Sequence, residues 1–123
     1  MGSSFYVSAG PEHGGPWDFT ADQVKESVRR HWPDAMVSGV FEDFLEIEAE
    51  VEPGLRAELS YNYRYGAFSF ADREPLSAPL TVIYRVLCDL APRVPVVWWA
   101  DYDGELTPMN LDDGLDQFLG RFA

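Results

Sequence analysis

Between Phe44 and Tyr63 apolar residues fall on every second position, interrupted only by Glu52-Pro53-Gly54. Leu45, Ile47, Ala49 and Val51 share one face of the first stretch, and Glu46, Glu48 and Glu50 the other. Leu55, Ala57, Leu59, Tyr61 and Tyr63 repeat the pattern after the Pro-Gly turn. A period of two with a turn signal between is a β-hairpin with one wet face, which predicts an antiparallel sheet.

Around this hairpin the other elements fall into place. Phe5-Tyr6-Val7 reads as a first strand, and residues 9–18, rich in Gly and Pro, as a loop. Thr20-Ala21-Asp22-Gln23 is a capping box, with Phe19 and Val24 placed to staple it, so a helix is predicted from Ala21 to His31, ahead of Pro33. Strands follow at Ala35 to Phe41, Phe44 to Val51, Leu55 to Tyr63 and Ala67 to Ala71. A two-residue turn at Tyr65-Gly66 sets Tyr63 opposite Phe68 and Tyr61 opposite Phe70. Ser77 is placed to cap a second helix carrying Leu80, Ile83, Tyr84, Leu87 and Leu90, closed by Pro92 and Pro95. Val96 to Ala100 is apolar on both faces and reads as a covered strand; Asp103-Gly104 signals a hairpin to Glu105–Met109. Asn110 or Asp112 caps a last helix with Leu115, Phe118, Leu119 and Phe122. The order β-α-β-β-β-β-α-β-β-α predicts an α+β two-layer sandwich, a mainly antiparallel sheet with about three helices on one face. A chain of 123 residues makes one such domain, residues 1–123.

Charge bounds the function. The chain has 21 acidic against 9 basic residues, a net −12. Such a field repels phosphate backbones and anionic lipid heads and attracts cations or basic proteins, so neither nucleic acid nor membrane is expected as a partner. The longest apolar run, Val94 to Ala100, contains a proline and is too short to span a bilayer. A single cysteine, Cys88, and the lack of a secretory leader pattern point to a reducing cytoplasm.

Several constellations invite chemistry. Asp101-Tyr102-Asp103-Gly104-Glu105 has the carboxylate density of a calcium loop but misses the EF-hand spacing, and reads as a solvated hairpin turn. Glu46, Glu48 and Glu50 are carboxylates at two-residue intervals, with nothing apolar beside them to raise a pKa for glycoside chemistry. Glu12, His13 and Asp18, in or beside the loop, offer the groups of an acid–base pair or part of a metal site but read as solvated loop residues, and Glu58 is expected near Glu48 across the hairpin. Cys88 sits mid-helix among apolar residues, where core packing explains it. Nucleotide cradles and the nucleophile elbow are absent, and no cofactor or metal is expected.

The expectation is a non-enzymatic interaction module that docks on a basic protein through Glu46, Glu48, Glu50, Glu58, Asp101 and Asp103, with Trp17 as an exposed aromatic contact. In size and charge the chain resembles small acidic bacterial proteins, toxin-neutralising immunity proteins among them; no motif carries the likeness, so it transfers no residue role. The alternative is a small-molecule binder or enzyme, its site formed by the Glu12–Trp17 loop and sheet-end aromatics such as Tyr61, Tyr63 and Trp98. The sequence leaves monomer and edge-strand homodimer both open.

Overall fold

A computed structural model describes residues 4–41, 43–73, 75–102, 104–109 and 111–120. The protein is an α+β two-layer sandwich: one seven-stranded sheet with three α-helices. The strands are β1 (Ser4–Ala9), β2 (Met36–Phe41), β3 (Phe44–Glu52), β4 (Leu55–Asn62), β5 (Ala67–Ala71), β6 (Val96–Ala100) and β7 (Thr107–Met109). The helices are α1 (Ala21–His31), α2 (Ser77–Leu90) and α3 (Leu115–Gly120). Every described ladder is antiparallel, in the order β2-β3-β4-β5-β1-β6-β7. No helix among the described residues is long and apolar enough to cross a membrane.

The alternation of β3 and β4 directs Leu45, Ile47, Ala49, Ala57, Leu59 and Tyr61 to a buried face, shared with Phe5, Val7, Phe68 and Phe70. Helix α2 lies in the middle of this core and packs on α1, α3, β3 and β4. Its residues Leu80, Val82, Ile83, Val86 and Leu87 are at most 1% exposed, so it is apolar nearly all round, as a central helix must be. Helix α1 adds Val24 and Val28, and α3 adds Phe118, whose ring meets Tyr84 edge-on at 5.3 Å. The predicted capping box of α1 is present: Gln23 N–H donates to Thr20 Oγ1 at 3.2 Å, and Thr20 N–H to Gln23 Oε1 at 2.8 Å. Cys88 is partly buried against the core.

Five expectations are corrected. First, Tyr61 pairs with Phe68, not Phe70, and Asn62 with Ala67, so the β4–β5 loop has four residues rather than two. Asn62 decides this: its side-chain oxygen accepts the N–H groups of Arg64 and Tyr65, each at 3.0 Å, and its carbonyl accepts Gly66 N–H at 2.8 Å. Tyr63 is thereby left in the loop, 38% exposed.

Second, Trp17 is core rather than surface, at 5% exposure. Its ring stacks on Phe19 at 5.4 Å and lies against Phe68 at 5.7 Å and Tyr61 at 6.4 Å. The Gly/Pro-rich loop folds over the sheet end to bring it there, and Pro16 seats on Gly66, where a Cβ would come within 2.5 Å of Pro16 Cβ.

Third, Ser77 does not cap α2. Leu76 precedes the helix, and the Ser77 carbonyl accepts the Thr81 hydroxyl at 2.7 Å. Fourth, Trp98 pairs with Thr107, a register two residues away from a turn centred on Asp103-Gly104. Gly104 N–H instead closes on the Ala100 carbonyl at 2.9 Å, and the partner strand is only Thr107–Met109. Fifth, Asp112 lies in a 3₁₀ turn, Leu111–Asp113, rather than at a helix cap; Asn110, the other expected cap, is outside the described residues, as is Phe122.

Candidate functional site

With the helices on one face, no described element covers the other face of the sheet, and the residues that alternate with the core lie there. Strand pairing sets them in transverse rows. One row runs Ser38, Glu46, Ser60, Ser69, Tyr6 and Trp99, each opposite the next. A neighbouring row begins Met36, Glu48 and Glu58; it continues with Ala71 opposite Ser4. The open face is thus graded. Carboxylates crowd β3 and β4, small side chains floor the middle, and Tyr6 and Trp99 stack at 5.4 Å toward the other side. A shallow trough of about 250 Å³ lies between, lined by Ser4, Glu46, Glu58, Ser60, Ser69 and Arg73. The Ser60 and Ser69 hydroxyls bond each other at 2.8 Å across its floor.

The expected proximity of Glu48 and Glu58 is present as a direct cross-strand pair. Arg56 relieves part of the repulsion, its guanidinium 3.6 Å from Glu48. Glu50 accepts Gly54 N–H at 3.4 Å, at the β3–β4 turn. Among the described residues Glu46 and Glu58 have no hydrogen-bond or ion-pair partner, and both are exposed. Such solvated carboxylates attract cations.

Asp101 sits apart from this group. It follows β6, where its carboxylate accepts Ser4 N–H at 3.1 Å and its own N–H donates to the Ser4 carbonyl at 3.0 Å. Three strand spacings, about 14 Å, separate β4 from β6. Asp103 lies outside the described residues. Trp17 is buried under the loop and offers no surface to a partner. The structure therefore brings together Glu46, Glu48, Glu50 and Glu58, and leaves Asp101 on the far side of the trough.

Of the aromatics named for a ligand site, Tyr61 is sealed in the core at 1% exposure beside Phe68 and Phe70, Trp98 is partly buried against Phe5, and Tyr63 is left in the β4–β5 loop. Burial pushes the Tyr61 hydroxyl well above its usual range. Among the described residues no three His, Cys, Asp or Glu side chains converge on a metal position.

One polar cluster was not visible in the sequence. Asp89 Oδ2 accepts the Ser27 hydroxyl at 2.7 Å and contacts His31 Nε2 at 2.9 Å and Arg30 Nη1 at 3.3 Å. Burial pushes the Asp89 carboxyl up, but the hydrogen bonds from Ser27 and His31, with the charges of His31 and Arg30, outweigh it and hold the group below the usual aspartate range. Serine, histidine and aspartate meet here without forming a nucleophilic triad. The hydroxyl and the imidazole both bind the same carboxylate oxygen, whereas an activated serine needs the imidazole as its base. Ser27 is also fully buried, so the cluster is a clamp between α1 and α2. Its signal in the sequence is faint, since Ser27 and His31 lie one turn apart on α1 but 62 and 58 positions from Asp89.

No known protein family, characterised protein or solved structure matches this chain.

Proposed function

We propose that this protein is a small acidic, non-enzymatic interaction module whose helix-free sheet face docks on a basic protein, an inhibitor or immunity protein of a basic enzyme being its concrete form. The observation that carries this reading is the convergence of Glu46, Glu48, Glu50 and Glu58 on one uncovered face, with Glu48 directly opposite Glu58. Like charges facing each other across strands cost stability, and a complementary partner would turn that cost into affinity. Against these four carboxylates, β3 and β4 carry one base, Arg56. The net charge of −12 extends the attraction beyond contact and speeds encounter with a cationic surface. A ligand site formed by the Glu12–Trp17 loop with Tyr61, Tyr63 and Trp98 is the weaker alternative, because Trp17 and Tyr61 are packed in the core.

The test is a parallel capture from the source lysate at low salt, with the native chain and the variant E46K/E48K/E50K. A basic protein held by the native chain, released by a salt step and not held by the variant is the expected result. Equal retention by both would remove the sheet face from the interaction.

A further inference from the structure

We infer that the basic partner engages this protein by adding an extended segment to the free edge of β2, with Lys or Arg at its alternate positions. This rests on the reading above and supplies its docking mode. β2 is the outermost strand and pairs on one side with β3. A sheet edge displays a row of unpaired N–H and C=O groups, which proteins usually blunt with charge, proline, shortness or a bulge. The opposite edge is treated so: β7 has three residues, with Pro108 at its centre. β2 has six, Met-Val-Ser-Gly-Val-Phe, with neither charge nor proline. Its register shifts between Gly39 and Phe41, so the regular stretch open to pairing is Met36 to Gly39. Met36, at its start, is 59% exposed.

The row behind this edge selects a basic strand. On the open face Met36 lies opposite Glu48 and Ser38 opposite Glu46. A strand added outside β2 runs roughly 9–10 Å from β3, two strand spacings away. The long stem of a Lys or Arg on its open-face positions crosses that gap over the small Ser38 side chain toward Glu46, which has no partner among the described residues. The intervening positions turn to the helix side, beside Val37, which is 6% exposed. Backbone hydrogen bonds then supply affinity and the alternate side chains specificity. A second copy of this chain suits the edge less well, because its own β2 brings no cation and each chain carries −12.

The test uses the full chain and a capped nine-residue peptide alternating Lys with Thr, beside the same peptide N-methylated at every backbone nitrogen of its central residues, which keeps the charge but leaves neither edge able to complete the ladder. Expected are slowed hydrogen exchange at the outward-facing amides between Met36 and Gly39 and binding by the unmethylated peptide roughly tenfold tighter, the worth of one or two net hydrogen bonds. Equal binding by the two peptides overturns strand addition while leaving the acidic face as the docking surface. Binding by neither also overturns it, and the lysate comparison then judges the face separately. A dimer of the free protein in sedimentation, abolished by Met36→Lys, gives the edge to a second copy and overturns it too.

Discussion

Glu48 on β3 stands directly across from Glu58 on β4, and Arg56, diagonal to Glu48 on the same face, reaches it at 3.6 Å. Two like charges are thus held together with one exposed counter-charge between them and the solvent. The hairpin tolerates this because its other face is sealed by Ile47, Ala49, Ala57 and Leu59, each at most 4% exposed.

Replacing Glu58 with Thr, a good strand former without charge, is expected to stabilise the protein by about 0.2–1 kcal/mol at low salt. Arg56→Ala is expected to destabilise by a similar amount. Both effects shrink at high salt. Urea unfolding at two ionic strengths measures them, and a Glu58→Thr variant less stable than the parent at low salt contradicts the account.

The Asp89 clamp makes stability depend on pH. Its carboxyl is held below the usual range when folded, so the folded state favours the charged form. The resulting stabilisation is complete above the unfolded value, at about pH 5 and higher, and fades as pH falls through the folded value, below about 4. The stability gap between the native chain and Asp89→Asn therefore narrows from pH 5.5 to pH 3, as denaturant unfolding at each pH will read. At neutral pH Ser27→Ala, which removes a buried donor, is expected to cost about 1–2 kcal/mol.

Gly54 and Gly66 both adopt positive φ, +81° and +72°, but only Gly66 has a neighbour where a Cβ would go. Gly54→Ala is expected to cost about 1 kcal/mol, the strain of the left-handed backbone alone. Gly66→Ala adds the collision with Pro16 and is expected to cost at least about 2 kcal/mol. Equal melting temperatures for the two variants would show that the Pro16–Trp17 loop does not rest on the β4–β5 turn.

Trp17→Ala is expected to cost about 3–5 kcal/mol, as truncating a buried aromatic does. Tyr102, 68% exposed on its turn, should tolerate alanine within about 0.5 kcal/mol. Thermal unfolding of the pair separates a core tryptophan from a surface one.

Local signals were legible before the tertiary structure. Helix α1 spans Ala21–His31, as its capping box and the following Pro33 require, because every partner in that box lies within three residues. The faces of β3 and β4 follow from alternation, and Glu48 meets Glu58 because the turn between them is short. The β4–β5 register departs from the sequence signal because the dipeptide Tyr65-Gly66 resembles a tight turn, whereas the Asn62 side chain gathers two backbone donors and lengthens the loop. Trp17 departs from it for a different reason: a Gly/Pro-rich loop carries no periodicity to say which of its side chains turns inward.

The sequence by itself determined the element order, the α+β class, the placing of Glu46, Glu48 and Glu50 on a wet face, and the net negative charge. These depend on periodicity, caps and composition, which act over a few residues or over the whole chain at once. Only the tertiary structure decided that the acidic face stays open while all three helices crowd the other. It also separated Asp101 from the glutamates, left β2 at the edge of the sheet, and joined Ser27, His31 and Asp89 across two helices. Each of these results from packing one apolar face against another, and the residues it brings together have no local signal of their meeting.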